Sequence, residues 1–178
     1  MMRAMTHTSL KIVASFIISI LLLACEDSSN KEQPQITISD TPTVITNTES
    51  SFQNLQGKPI ELSDYAGQTL VLNYWATWCA PCIREIPSLI QAASILKEEG
   101  FIFLLASDES LEDINEFVAD HDFQANFIKL NTFFASHGVE AVPSTVLFNS
   151  SGEIVNTWLG EREWDSPETL AMLRDSEE

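Results

Sequence analysis

Two cysteines, Cys79 and Cys82, stand where a strongly apolar stretch gives way to a helical pattern, and this junction constrains the fold more than any other feature of the chain. Residues 69–76 are nearly all apolar and β-favouring, which predicts a strand buried on both faces. Past the cysteines, Ile83, Ile86, Ile90, Ala93 and Leu96 recur at helical spacing, and Gly100 is placed to stop the helix. Pro87 lies inside that helix and is expected to kink it. An i, i+3 spacing at the start of a helix brings the two sulfurs to one face, close enough to bridge. Cys79, at the N-terminus, meets unpaired backbone N–H groups and the positive end of the dipole, which favour thiolate over thiol. Cys82, one turn further in, is expected to be deeper and less ionised. That asymmetry assigns an exposed, attacking sulfur to Cys79 and a resolving sulfur to Cys82.

A bare pair of this kind has two other readings. One is half of a zinc site, which needs three or four ligands; no second cysteine pair is present, and past residue 25 the histidines are His121 and His137. The other is a structural staple, but so short a loop constrains the unfolded chain little. The expectation is therefore no metal and no bound cofactor, with the Cys79–Cys82 disulfide itself as the redox centre.

The rest of the chain alternates strand and helix signals. Residues 52–55 and 60–62 are strand-like and lead to a turn at Tyr65-Ala66-Gly67. A second buried strand is predicted over 101–106. An amphipathic helix then carries Leu111, Ile114, Phe117 and Val118, followed by a short strand over 127–130 and a short helix over 132–137 closed by Gly138. Strands over 145–148 and 154–159 flank the hairpin signal Asn149-Ser150-Ser151-Gly152, and Ser166-Pro167 opens a last helix. This order implies an α/β domain around a mixed central sheet flanked by helices, with an N-terminal strand extension. His137 is expected at a helix end and His121 in a surface loop.

The run Asn73-Tyr74-Trp75-Ala76-Thr77-Trp78-Cys79-Ala80-Pro81-Cys82-Ile83-Arg84-Glu85-Ile86-Pro87 resembles the active-site segment of thioredoxin-fold proteins. More narrowly, it is similar to the TlpA/ResA-like thiol–disulfide oxidoreductases anchored outside the bacterial cytoplasmic membrane. The lead-in Gly57-Lys58-Pro59-Ile60-Glu61-Leu62 and the segment Gly138-Val139-Glu140-Ala141-Val142-Pro143-Ser144-Thr145 extend the likeness over about residues 52–173. The resemblance implies a thioredoxin fold in which a cis Pro143 faces the cysteines. A proline beside the sulfurs presents no N–H, and groups of Val142 are left to pair with an extended substrate segment. It also implies a carboxylate near the site that assists proton transfer, a role that falls to Glu85, three residues past Cys82. Desolvation would raise its pKa and let it accept the Cys82 proton. Asn73 departs from cytoplasmic thioredoxins, which carry Asp there, and throws that burden on Glu85. Trp78 and Pro81 are expected beside the substrate, with Trp75 more a core residue than a contact. Pro81 withholds an N–H from the sulfur and no histidine separates the cysteines, so reduction of protein disulfides is the expected direction. Apocytochrome c, in cytochrome c maturation, is the substrate the likeness suggests, with a membrane thiol reductant upstream. Two rivals are a copper-binding chaperone of the same fold and a peroxiredoxin-like peroxidase. The second needs Pro and Thr before the reactive cysteine, whereas Thr77 stands two residues upstream and Leu72 seven.

The N-terminus reads as an address. Residues 1–11 carry Arg3 and Lys11 and no acid, and residues 12–24 form an apolar run. At ~1.5 Å per residue this run makes about 20 Å of helix, short of the ~30 Å hydrocarbon core, which favours an export signal over a membrane span. Its end, Leu22-Leu23-Ala24-Cys25, resembles the lipobox of bacterial lipoproteins. The implied organisation is a signal peptide over 1–24, an acylated Cys25 with a polar tether over 25–50, and the domain over 51–178. The product would be exported and lipid-anchored, facing the periplasm or cell exterior. With 9 basic and 26 acidic residues among 178, the net charge is −17. Nucleic acid is a poor partner for such a chain, and anionic headgroups repel it, so attachment to a membrane falls to lipid.

Overall fold

A computed structural model describes residues 50–176 of the protein. The expected leader, the acylated Cys25 and the tether up to residue 49 lie outside the described residues. Ser50, assigned above to the tether, is buried, and its hydroxyl donates to the carbonyls of Phe52 (2.7 Å) and Ile60. Among the described residues no helix is long and apolar enough to cross a membrane.

Seven strands form one sheet: β1 (Phe52–Asn54), β2 (Pro59–Ile60), β3 (Thr69–Tyr74), β4 (Phe101–Ser107), β5 (Phe127–Leu130), β6 (Ser144–Phe148) and β7 (Ile154–Leu159). Their order is β2-β1-β5-β4-β3-β6-β7. The pairs β3–β4 and β4–β5 are parallel, and all other neighbours are antiparallel. The helices are α1 (Ala80–Leu96), α2 (Leu111–His121) and α3 (Pro167–Asp175). The mixed sheet with its N-terminal pair, β1 and β2, is the architecture the sequence implies.

The two parallel connections, β3–α1–β4 and β4–α2–β5, step the same way across the sheet. Crossovers of this kind are almost always right-handed, so both helices belong on one face. There Ile86, Leu89, Ala92 and Leu96 of α1, Ile114 and Phe117 of α2, and Leu170 and Leu173 of α3 share a core with Val71, Trp75, Phe103 and Leu105. Strand period two sends Leu70, Leu72 and Tyr74 to the opposite face, where Leu104, Ile128, Leu130 and Val146 form a second core. Tyr65 and Phe134, from 3-10 turns, pack against it. Asn73 belongs by the same alternation to the α1 face, and that placement decides its partners.

Several boundaries differ from the sequence expectation. β3 ends at Tyr74, two residues before Ala76, because the chain turns there toward Cys79. The second strand stops at Ile60, and Leu62 enters a 3-10 turn instead. The short helix predicted over 132–137 is a single 3-10 turn, Phe134–His137, closed by Gly138 at φ 72°. His121 is the last residue of α2 rather than part of a loop, and its ring stacks on Phe117 at 4.0 Å. Pro87 sits on an exposed position within an α1 that runs unbroken from Ala80 to Leu96.

Candidate active site

The C-terminal edge of the parallel strands carries the cysteines. Cys79 is the N-cap of α1, at φ −89° and ψ 94°, and its sulfur accepts the N–H of Cys82 at 3.3 Å. Pro81 occupies the first turn, where a missing N–H leaves no helical bond unmade. The two sulfurs are joined, with S–S 2.06 Å and Cα–Cα 5.3 Å. The expected exposure contrast is small: Cys79 is 4% exposed and Cys82 fully buried. Cys79 is therefore not an exposed sulfur in the disulfide form. Ala76 and Trp75, both buried, belong with the cysteines in the core beneath α1. Exposure at this edge belongs to Trp78, at 71%, while Trp75 packs between Phe117 and Phe127.

Glu85 lies one turn past Cys82 on α1 and is 2% exposed. Its carboxylate accepts three hydrogen bonds. Asn73 Nδ2 donates to Oε1 at 2.8 Å, while the Arg162 backbone N–H and Trp164 Nε1 donate to Oε2 at 3.0 and 3.1 Å. The same Asn73 amide donates to Thr145 Oγ1 at 2.9 Å, tying β3 and β6 to the helix. Burial pushes the Glu85 carboxyl above the usual carboxylate range; the three donors oppose this, and the Glu161 charge adds to it. A group held in this balance can gain or lose a proton as its surroundings change.

The Val142–Pro143 bond is cis, as the resemblance implies, and Pro143 is buried at the start of β6. The β3–β6 register sets Ser144 opposite Tyr74, which brings the Pro143 turn to the edge from which Cys79 emerges. Val142 is half-buried and packs against the core cluster that contains both cysteines. The carbonyl of Pro143 accepts the Gly160 N–H at 2.8 Å.

The segment leading into the cysteines is held from the turn that follows β4. Glu109 accepts from the Thr77 N–H at 2.7 Å, the Thr77 hydroxyl at 2.6 Å and the Ser107 hydroxyl at 2.9 Å. Lys129 donates to the Glu109 carbonyl at 2.9 Å. Neither this clamp nor the roles of Thr145, Arg162 and Trp164 follow from the sequence. Each joins residues far apart in the chain, and no periodicity marks an isolated Glu or Trp as a partner. Among the described residues no group of three or more His, Cys, Asp and Glu side chains converges as a metal-binding set.

A sequence model of the AhpC/TSA family matches residues 44–158. The thiol-disulfide oxidoreductase ResA of Bacillus thuringiensis is 33% identical over 112 residues, which are 61% of this chain and 65% of that protein. The chain thus spans slightly less than two thirds of that relative's length. Among solved structures, a thiol:disulfide interchange protein from Bacteroides superposes with a TM-score of 0.61 at 21% identity, covering 71% of this chain and 84% of its own. The exposed lipoprotein thioredoxin of Streptococcus pneumoniae does so with a TM-score of 0.59 at 24% identity, covering 70% and 96%. The fold is the thioredoxin fold.

Proposed function

The chain belongs to the AhpC/TSA family, and from that premise we propose that it is a thiol–disulfide oxidoreductase that reduces protein disulfides. The observation that carries this reading is the Cys79–Cys82 disulfide closed at the N-terminus of α1, beside a buried carboxyl. In the dithiol form, the Cys79 thiolate attacks a substrate disulfide. A Cys79–substrate bond forms, the substrate S–S bond breaks, and one substrate sulfur leaves as a thiolate that takes a proton from solvent. Cys82 then gives its proton to Glu85 and attacks the Cys79 sulfur. The intramolecular disulfide re-forms and the second substrate sulfur leaves. Two electrons pass to the substrate, and a dithiol reductant upstream must return them.

Pro81 cannot donate an N–H to the Cys79 sulfur and no histidine lies between the cysteines, so the thiolate is less stabilised than in strong oxidants. A potential in the lower half of the range from about −270 mV to about −120 mV follows. Trp78, Pro81, Val142 and Pro143 make up the substrate-facing rim in this reading. Apocytochrome c is the substrate in this reading, on the resemblance of residues 73–87 and 138–145 to the TlpA/ResA-like group. The basic flank, the apolar run and Leu22-Leu23-Ala24-Cys25 support an exported chain anchored through Cys25 and facing the periplasm or cell exterior. No further cofactor is invoked.

Trapping tests the proposal. A Cys82→Ala variant should accumulate mixed disulfides on Cys79 in exporting cells, and Cys79→Ala should accumulate none. Wild-type protein should catalyse insulin reduction with a dithiol donor. If the variant captures nothing and insulin stays oxidised, the reading fails; turnover of hydrogen peroxide in place of insulin would favour the peroxidase.

A further inference from the structure

The loop after β7 does more than connect it to α3. Between Gly160 and Trp164 it makes contacts with both halves of the site. The Gly160 N–H holds the Pro143 carbonyl at 2.8 Å, and Glu161 pairs with Arg84 of α1, Arg84 Nε to Oε1 at 3.0 Å. The Arg162 N–H and the Trp164 indole N–H converge on one oxygen of Glu85. Ser88 ties the loop to α1 from the other side, its hydroxyl donating to the Glu85 carbonyl at 2.9 Å and accepting the Trp164 N–H at 3.2 Å. Trp164 itself is fully buried, with its ring edge-on to Trp158 at 5.7 Å. An indole fixed this firmly has one direction in which to donate, and that direction is the carboxylate.

We infer that Trp164 is a positioning residue for the resolving step: its indole N–H holds the Glu85 carboxyl in the orientation and charge state in which it takes the proton of Cys82. This rests on the proton-acceptor role proposed for Glu85. The geometry gives the reason. A carboxylate with 2% of its surface exposed cannot rely on water for orientation, and each donor lost leaves its charge dearer to bury. Asn73 holds one oxygen, and Trp164 and the Arg162 amide hold the other, so all three donors favour the ionised form. Burial raises the carboxyl and Trp164 counters that rise. The charged groups around Glu85 are Arg84 on α1 and Glu161, Arg162, Glu163 and Asp165 on the loop, with the titratable Cys82 one helical turn before it; β3 and β6 present the uncharged Asn73 and Thr145. The cleft between α1 and the loop, lined by Arg84, Glu85, Glu161, Arg162 and Asp165, leads from the carboxyl toward solvent.

The test is the pH dependence of the resolving phase in single turnovers of the full-length reduced protein with a fluorogenic disulfide peptide. In the wild type this phase should rise with pH as Glu85 ionises. Trp164→Phe keeps the ring and removes the donor, so ionisation becomes harder and the limb should move up by about one pH unit. Glu85→Gln should abolish the limb, and adding Trp164→Phe to it should change the profile no further. In the unmodified protein, the Trp164 indole proton resonance should titrate with the same midpoint as the limb. A variant that is merely less stable while its limb stays put, together with an indole resonance that does not titrate, overturns the inference. If Glu85→Gln leaves the wild-type limb intact, the acceptor role itself falls and the inference with it.

Discussion

At the scale of the residue, Glu85 sets two effects against each other: an ionisable group inside a core, held by three N–H donors. Its folded pKa lies above the unfolded value, so the unfolded state loses the proton first as pH rises. Below the ordinary carboxylate range the group is neutral in both states and contributes no slope. From there up through the raised folded value, the wild type should lose stability relative to Glu85→Gln, and above that value the difference should level off. Urea denaturation of both proteins from about pH 4 to about pH 8 measures this. Parallel stability profiles would mean that the carboxyl is not held back from ionising. Asn73 matters at the same scale. Placed on the α1 face by strand alternation, it offers an amide donor to the carboxylate where a second carboxyl would compete with it.

Among the elements, the join between β3 and α1 does the positioning. Cys79 caps the helix with its own sulfur, and the chain before it is held by Glu109, two residues past the end of β4. Glu109→Ala strips a part-buried amide and two hydroxyls, those of Thr77 and Ser107, of their acceptor. The change should cost about 2 kcal/mol, read as a lower urea midpoint of the oxidised protein. It should also speed alkylation of Cys79 in the reduced form, because the segment from Thr77 to Cys79 loses its tie to the sheet. An unchanged midpoint would mean that water replaces the carboxylate without loss. Leu89, fully buried on the inner face of α1, reports on the same docking: Leu89→Ala should cost about 3 kcal/mol through the cavity it leaves.

For the whole molecule, charge is the dominant fact. A net −17 makes like-charge repulsion general, and few cations offset it: Arg84 and Arg174 are engaged with Glu161 and Glu99, and Lys129 points into backbone carbonyls. Screening should therefore stabilise the fold. Raising salt from about 0.01 M to about 0.5 M, where the screening length shrinks from ~30 Å toward ~4 Å, should raise the thermal midpoint by several degrees. A midpoint that falls with salt would show that the local ion pairs outweigh the global repulsion. The same charge sets the terms for any membrane attachment, since a surface this acidic gains nothing from anionic headgroups.

Most of the architecture was legible in residue order, because strand and helix periods are properties of near neighbours. The buried strand before Cys79, the helix after it, the hairpin at Asn149–Gly152 and the capped α3 could all be read that way. So could the closeness of two sulfurs three positions apart on one helix. Element ends were less legible: whether Leu62 extends a strand or starts a turn depends on what packs against it. The carboxyl's environment could not be read at all. Its partners come from 12, 77 and 79 residues away, and only the closing of the sheet brings β3, α1 and the loop after β7 to one point. Local spacing determined which two sulfurs can bridge, and long-range packing decided how deeply they and Glu85 are buried and which donors hold the carboxyl. Burial and donors set a proton's affinity, so the chemistry of Glu85 belongs to the tertiary structure.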